Sequence, residues 1–183
     1  MSGTGSAGRA RVIAGVSGSP GSLRALRYAA EVAGRRGAVL LPVLAWTPPG
    51  GELADRRFPS PYLRQIWREA AARELGDALD LAFGGEPADM LIRPAVVRGP
   101  AGPVLIAAAS EPGDVLVVGA GQRGSAGRWR GGRVARFCLA RAACPVIAVP
   151  PADLAAAARG LRGWARRHRP LTAEAAGLPA GTS

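Results

Sequence analysis

The sequence contains no lysine, a single histidine and only two cysteines. His168 has no second histidine to act with, and Cys138 and Cys144 lack the spacing of a zinc motif. Neither a metal centre nor a histidine-dependent catalytic triad is therefore expected. Aromatic residues make up only 5% of the chain, whereas hydrophobic residues make up 48%. The core should consist mainly of aliphatic and small side chains.

Long apolar segments are also missing. No run approaches the roughly 20 apolar residues that a membrane-spanning helix requires. Residues 1–10 are rich in Gly and Ser and lack the apolar run of a secretory signal, so we expect a disordered lead-in and a cytoplasmic protein. A chain of 183 residues is long enough for one domain with a substantial core but short for two.

The absence of lysine makes arginine the source of the whole positive excess, which is +11. No acidic residue occurs from Val115 to Ala152. This stretch contains six arginines, which are Arg123, Arg128, Arg130, Arg133, Arg136 and Arg141. Because unopposed positive charge favours association with polyanions, the stretch is one candidate for an interaction surface.

Five short apolar segments have the composition of β-strands. They are Arg11–Ser17, Ala38–Trp46, Asp89–Arg98, Asp114–Gly119 and Pro145–Val149. The fourth is the clearest, because four consecutive β-forming residues lie between an acidic residue and a glycine. Pro42 does not suit a central strand, so we expect it at a sheet edge or at a bulge.

Helical periodicity separates these strands. Apolar spacing predicts helices from Ser22, as N-cap, to Gly37, from Tyr62 to Phe83, from Val104 to Ala109, and through Val134 to Cys138. The stretch Pro48–Pro61 is predicted to be a long loop. Strands that alternate with helices form parallel βαβ units with right-handed crossovers.

We therefore predict an α/β fold: an open, doubly wound parallel sheet of five strands with helices on both faces, which is Rossmann-like. In such sheets, ligands bind beyond the carboxyl ends of the strands, near the point where the strand order reverses. The loops after the first and fourth strands are thus the expected site.

Three separated segments resemble the universal stress protein family, and they occur in the correct order. They are Val12–Ser19 with Leu23–Ala38, then Asp114–Gly119, then Gly132–Arg136 with Ala142–Val149. The resemblance covers about residues 11–150 and implies an adenine nucleotide alpha hydrolase-like fold. It also implies a non-enzymatic stress-response or regulatory module, and a homodimer formed through the fifth strand, Val146–Val149.

Nucleotide-binding members of this family carry a glycine signature: Gly, two residues, Gly, nine residues, then Gly followed by Ser or Thr. On this chain the signature runs from Gly119 to Gly132, with Gln122 at the second glycine and Arg133 at the hydroxyl residue. Ser17 stands where such members have an acidic residue. The resemblance therefore implies ATP, with magnesium, at an altered phosphate loop. The implied site residues are Ser17, Val43, Val118, Gly119, Gln122, Gly132, Arg133 and Val134.

The substitutions in this signature have opposite expected effects. Gln122 adds bulk where glycine would let backbone N–H groups approach an anion. Arg133 could instead supply a bidentate contact to phosphate at the start of a helix. Val43 matches the position that packs against adenine, but it is equally suited to an ordinary core.

Other interpretations stay open. The glycines could simply form a long mobile loop, and a nucleotide-free dimeric regulator could bind an acidic protein or nucleic acid through Arg128, Arg130 and Arg133. A weak ATPase is less favoured, because the loops contain neither an acidic metal ligand nor a residue to position water. In the extension, residues 151–183, we predict a weakly amphipathic basic helix followed by disorder.

Overall fold

The computed structural model describes residues 9–85, 90–123, 129–130 and 132–150, which all belong to one compact unit. The predicted lead-in through residue 8 and the predicted C-terminal extension lie outside the described residues. Among the helices of the described part, none is both long and apolar enough to cross a membrane.

Strands and helices alternate along most of the chain. In order, the elements are β1 Arg11–Val16, α1 Pro20–Arg36, β2 Val39–Trp46, α2 Gly51–Arg57, α3 Pro61–Phe83, β3 Ala95–Arg98, α4 Ala101–Ala108, β4 Val115–Gly119, β5 Gln122–Arg123, β6 Trp129–Arg130, α5 Arg133–Arg141 and β7 Val146–Val149. The predicted fifth strand is therefore β7. The predicted loop between Gly119 and Gly132 contains a short antiparallel pair, β5 with β6.

Five strands form one parallel sheet in the order β3-β2-β1-β4-β7. The chain leaves β1 toward β2 and β3 on one side and later returns to β4 and β7 on the other. The strand order therefore reverses at β1 and β4, which creates a switch point at their carboxyl ends. This arrangement confirms the predicted doubly wound fold.

A separate hydrophobic core covers each face of the sheet. The first core joins the sheet to α1 and α3, with Leu26 and Leu75 among its buried residues. The second joins it to α4 and α5, with Leu105 and Cys138. Both cores consist mainly of Val, Leu, Ile and Ala, as the composition predicts. Val43 belongs to the second core.

The start of α1 differs from the prediction. Ser19, not Ser22, is the N-cap: its side chain accepts a hydrogen bond from the Ser22 N–H at 3.3 Å. Pro20 takes the first helical position, where its fixed φ suits the helix and its missing N–H costs nothing. The end of α1 is confirmed, because Gly37 has a left-handed φ of 59°. The stretch Pro48–Pro61 was predicted to be a loop, but it contains α2.

Pro42 lies in an interior strand, so an edge position is wrong. The N–H of Val39 donates toward the β1 side and that of Leu40 toward the β3 side. This alternation places the nitrogen of Pro42 on the β3 side, where continuous pairing begins only at Val43 with Ala95. The missing N–H thus falls in an interruption of the ladder.

Candidate functional site

A hydroxyl-rich turn follows β1 at the switch point. Ser19 donates its N–H to the Ser17 carbonyl at 2.7 Å, and Gly18 between them has a φ of +60°, a value that favours glycine. The Ser17 and Ser19 hydroxyl oxygens lie 3.2 Å apart, and the Ser17 N–H donates to Ser22 Oγ at 3.2 Å. The turn therefore presents exposed hydroxyls where the resemblance described above implies an acidic residue.

Gly119, the last residue of β4, lies directly against the start of α1. A Cβ atom at this position would lie 3.0 Å from the Gly21 carbonyl oxygen and 3.3 Å from the Ser22 nitrogen. Only glycine allows this approach without a shift of the helix backbone. The two loops that the sequence predicts as the site are thus in direct contact.

Gly132 completes the same edge of the site. Its φ is +65°, and a Cβ atom there would collide with the carbonyl oxygen of Ala120. No side chain caps α5, which begins at Arg133, and Arg133 is exposed. An uncapped helix start presents N–H groups and a positive partial charge, both of which suit an anion.

The apolar residues of the predicted site lie deeper. Val43 and Val118 are 1% and 2% exposed, and Val134 is half-buried against the same core. Above Gly15, which pairs with Val43, the space is filled by Leu105: a Cβ on Gly15 would lie 2.9 Å from Leu105 Cδ1. Gln122 contributes its backbone to the β5–β6 pair, opposite Arg130.

The sequence profile of the universal stress protein family matches residues 8–150, which is most of the chain. The chain belongs to the universal stress protein family. No curated protein matches it in sequence.

Solved structures agree with the fold of this universal stress protein. A universal stress protein in complex with cAMP is 26% identical, with a TM-score of 0.53 over 79% of this chain and 98% of that one. UspA from Lactobacillus plantarum is 21% identical, with a TM-score of 0.55 over 78% and 99%. Hypothetical protein MJ0577 is 13% identical, with a TM-score of 0.60 over 78% and 96%. The last two comparisons show the fold alone.

One acidic residue approaches the switch point of this universal stress protein from a distant helix. The Glu74 carboxylate, on α3, lies beside the turn after β1: its Oε1 is 3.1 Å from the place that a Cβ on Gly18 would occupy. Sequence reasoning missed Glu74, because only the packing of α3 brings it to this turn. Its neighbour Leu75, which is buried, is the signal that places this turn of α3 near the sheet.

A second polar cluster lies at the carboxyl ends of β2 and β3. The Asp55 side chain, on α2, is 2% exposed and accepts from Arg64 Nε at 2.9 Å and from Arg98 Nη2 at 2.6 Å. Arg98 also donates Nε and Nη2 to Glu52 at 3.1 and 2.6 Å. This cluster is not predictable from local sequence, because its members come from three elements that only the fold brings together.

These hydrogen bonds hold the carboxylates in their charged form. Donation from Arg64 lowers the pKa of Asp55, against the opposing effect of burial and with further help from Arg98. Donation from Arg98 likewise lowers the pKa of Glu52. The cluster is therefore ionised at neutral pH. Across the described residues, no group of three or more His, Cys, Asp or Glu side chains could hold a metal ion.

Proposed function

We propose that this universal stress protein is a non-enzymatic stress-response module that binds an adenine nucleotide at the carboxyl ends of β1 and β4. The observation that carries the proposal is the convergence of Gly119, Gly132 and the uncapped start of α5 at the switch point. A relative with the same fold and 26% identity was solved in complex with cAMP, which supports an adenine nucleotide as the ligand class.

The phosphate end of such a ligand fits the residues present. The first N–H groups of α5 and the guanidinium of Arg133 can donate to phosphate oxygens, and the Ser17 and Ser19 hydroxyls can donate from the opposite loop. Arg133 would thereby replace the usual hydroxyl residue with a charge. ATP is the proposed ligand, and magnesium would be bound mainly through its phosphates.

The adenine end fits less well in this conformation. Val43 is almost completely buried, and Leu105 occupies the adjacent space above Gly15. An adenine ring could contact Val43 only if Leu105 moved. We therefore propose that phosphate contacts supply most of the affinity and that the base adds less than an open apolar slot would.

Native mass spectrometry with added ATP and magnesium tests this proposal. We expect one nucleotide per chain, and we expect Arg133→Gln to weaken binding about tenfold, because a charge-assisted hydrogen bond is lost. Arg36→Gln is the matched control, since Arg36 is an exposed arginine at the end of α1, near the amino ends of the strands and away from the proposed site. It should bind ATP like the parent protein.

Two results would contradict the proposal. A chain that stays empty at millimolar ATP would mean that the residues at Ser17, Gln122 and Arg133 no longer support a nucleotide site. Steady release of phosphate that depends on magnesium and is lost in Arg133→Ala would instead identify an ATPase. The same spectra report whether the chain is a dimer, which we propose forms through the edge strand β7.

A second candidate function needs no nucleotide. Arginines, with no intervening acidic residue, extend from Arg123 to Arg141. An acidic protein or a nucleic acid could bind this stretch through Arg128, Arg130 and Arg133, of which Arg128 lies outside the described residues. An empty but dimeric protein in the ATP experiment would favour this candidate, since its counterion-release binding needs no nucleotide.

A further inference from the structure

A cavity of about 520 Å³ opens at the carboxyl ends of β2 and β3. It is separate from the proposed nucleotide site. Its wall residue Trp46 packs against the core that contains α1 and α3, whereas Val43 lies in the core on the other face of the sheet. The volume is in the range of small-molecule sites, which is about 300–1,000 Å³.

Two of the arginines that line this cavity are held in place by carboxylates that lie outside it. Arg64 donates Nε and Nη2 to Asp55, and Arg98 donates Nε and Nη2 to Glu52 and Asp55. Neither carboxylate lines the cavity. Each guanidinium carries five N–H groups, so both arginines retain donors beyond those used in these pairs. Their positions are thus fixed before any ligand arrives, which reduces the entropy cost of binding.

Arg68 adds a charge that the cluster does not neutralise. It lies one helical turn after Arg64 on α3 and also lines the cavity. Within the described ranges, no carboxylate lies at ion-pair distance from Arg68. Glu69, the one acidic residue of the lining, accepts a hydrogen bond from Gln65 at 2.9 Å. The cavity therefore offers one unpaired guanidinium beside two prepositioned ones.

Trp46 gives the cavity a flat apolar wall. It is the last residue of β2 and pairs in register with Arg98, the last residue of β3. The Arg98 guanidinium lies over one face of the Trp46 ring, with its carbon 5.8 Å from the ring centroid. An indole ring next to fixed guanidinium groups suits a ligand that combines a planar ring with an oxyanion.

We propose that this cavity binds a small planar organic anion, namely a carboxylate or a phosphate ester carried on a ring. Arg68 supplies a guanidinium that forms no ion pair within the described residues, and the remaining N–H groups of Arg64 and Arg98 orient the oxyanion in a bidentate manner. The ligand ring contacts the part of the Trp46 indole that Arg98 leaves uncovered. Gln65 and Glu69 are acceptors for N–H or O–H groups on the ring, so they select among substituted rings.

Titration of the ¹⁵N-labelled protein with phenyl phosphate or with benzoate tests this proposal. The indole N–H signal of Trp46, assigned through Trp46→Phe, should shift and saturate with at least one of the two anions. The stronger of the two identifies the oxyanion as phosphate or carboxylate. Inorganic phosphate lacks the ring and benzyl alcohol lacks the oxyanion, so each should bind at least about tenfold more weakly.

Arginine substitutions on α3 separate a site from general attraction to a basic protein. Arg68→Gln should weaken binding of the better anion about tenfold, whereas Arg73→Gln, an equally exposed arginine outside the cavity, should not change it. Both variants keep the fold, which far-UV circular dichroism checks. No saturable shift with either anion, or equal losses in the two variants, would overturn the proposal.

Discussion

Two glycines bring the two loops of the proposed nucleotide site together at the residue scale. Gly119 lets α1 approach the end of β4, and Gly132 combines a left-handed backbone with close contact to Ala120. A Cβ atom at Gly132 would collide with a backbone carbonyl, and one at Gly119 would require the backbone of α1 to shift by a few tenths of an ångström. A flexible side chain could move away from an added Cβ atom, whereas a backbone carbonyl moves only if the chain around it shifts.

We predict that Gly132→Ala lowers the free energy of unfolding by roughly 1–3 kcal/mol, because it adds positive-φ strain and a collision with a backbone carbonyl. Urea denaturation measures this change.

Gly76→Ala is the matched control. Gly76 lies inside α3, and a Cβ atom there would meet nothing within 4 Å. Alanine should therefore raise the free energy of unfolding by about 0.5–1 kcal/mol through its higher helix propensity. Equal effects of the two substitutions would contradict the packing that we describe at Gly132.

At the scale of elements, the short helix α2 is held to the fold mainly by charge. It has seven residues, and Asp55 is its only buried residue. Helices of this length are not stable by themselves, so its position depends on tertiary contacts. Asp55 and Glu52 connect it to Arg64 on α3 and to Arg98 on β3. The same pairs orient two walls of the proposed anion cavity.

We predict that Asp55→Asn lowers the melting temperature at pH 7 by about 5 °C, because it leaves the partly exposed guanidinium groups of Arg64 and Arg98 with a weaker, uncharged acceptor. The Arg64 hydrogen bond lowers the folded-state pKa of Asp55 below its unfolded value of about 4. The stabilisation is therefore complete above about pH 4 and is lost as the pH falls through the folded-state pKa.

Measuring stability as a function of pH checks that the stabilisation by Asp55 is lost in acid. The melting temperatures of the parent protein and of Asp55→Asn should converge as the pH is lowered from 5 toward 2, when measured by differential scanning calorimetry. Asp77→Asn, at an exposed position of α3 outside the cluster, should leave the melting temperature almost unchanged. A difference that grows in acid would contradict this account of Asp55.

At the scale of the whole molecule, β3 and β7 are the two edge strands of the sheet within the described residues. The carbonyl oxygens of Pro145, just before β7, and of Val149 accept hydrogen bonds from the β4 side of the sheet. The residues that alternate with them therefore direct their backbone groups away from β4. An apolar edge strand with free backbone groups favours pairing with another chain. This geometry suits a dimer through Val146–Val149.

We predict that Ala148→Pro converts the proposed dimer to a monomer, because it removes an outward N–H while leaving the ladder to β4 in place. Ala148→Thr keeps this N–H and should remain dimeric. Light scattering coupled to size-exclusion chromatography measures both masses. If Ala148→Pro remains dimeric with an unchanged fold, the dimer must form through another surface.

The predictable part of this protein is its local pattern. Alternation of apolar strands with helical periodicity determined the parallel doubly wound sheet, and Gly37 marked the end of α1, because such signals act over a few residues. Gly119 and Gly132 were identified as candidate site residues through the resemblance to the family's glycine signature, and their role in binding stays a prediction. The N-cap at Ser19, the helix α2 and the interior position of Pro42 were not predicted, since each depends on neighbours that local propensity does not specify.

The sites, in contrast, depend on which elements meet. Glu74 lies beside the turn after β1, and Arg64 and Arg98 both pair with Asp55, only because of how α2, α3 and β3 pack together. The burial of Val43 beneath Leu105 likewise follows from the position of α4. Sequence by itself determined the fold and the family. Tertiary structure decided which charges are paired, which donors remain free and where a ligand has room, because these depend on contacts between residues far apart in the chain.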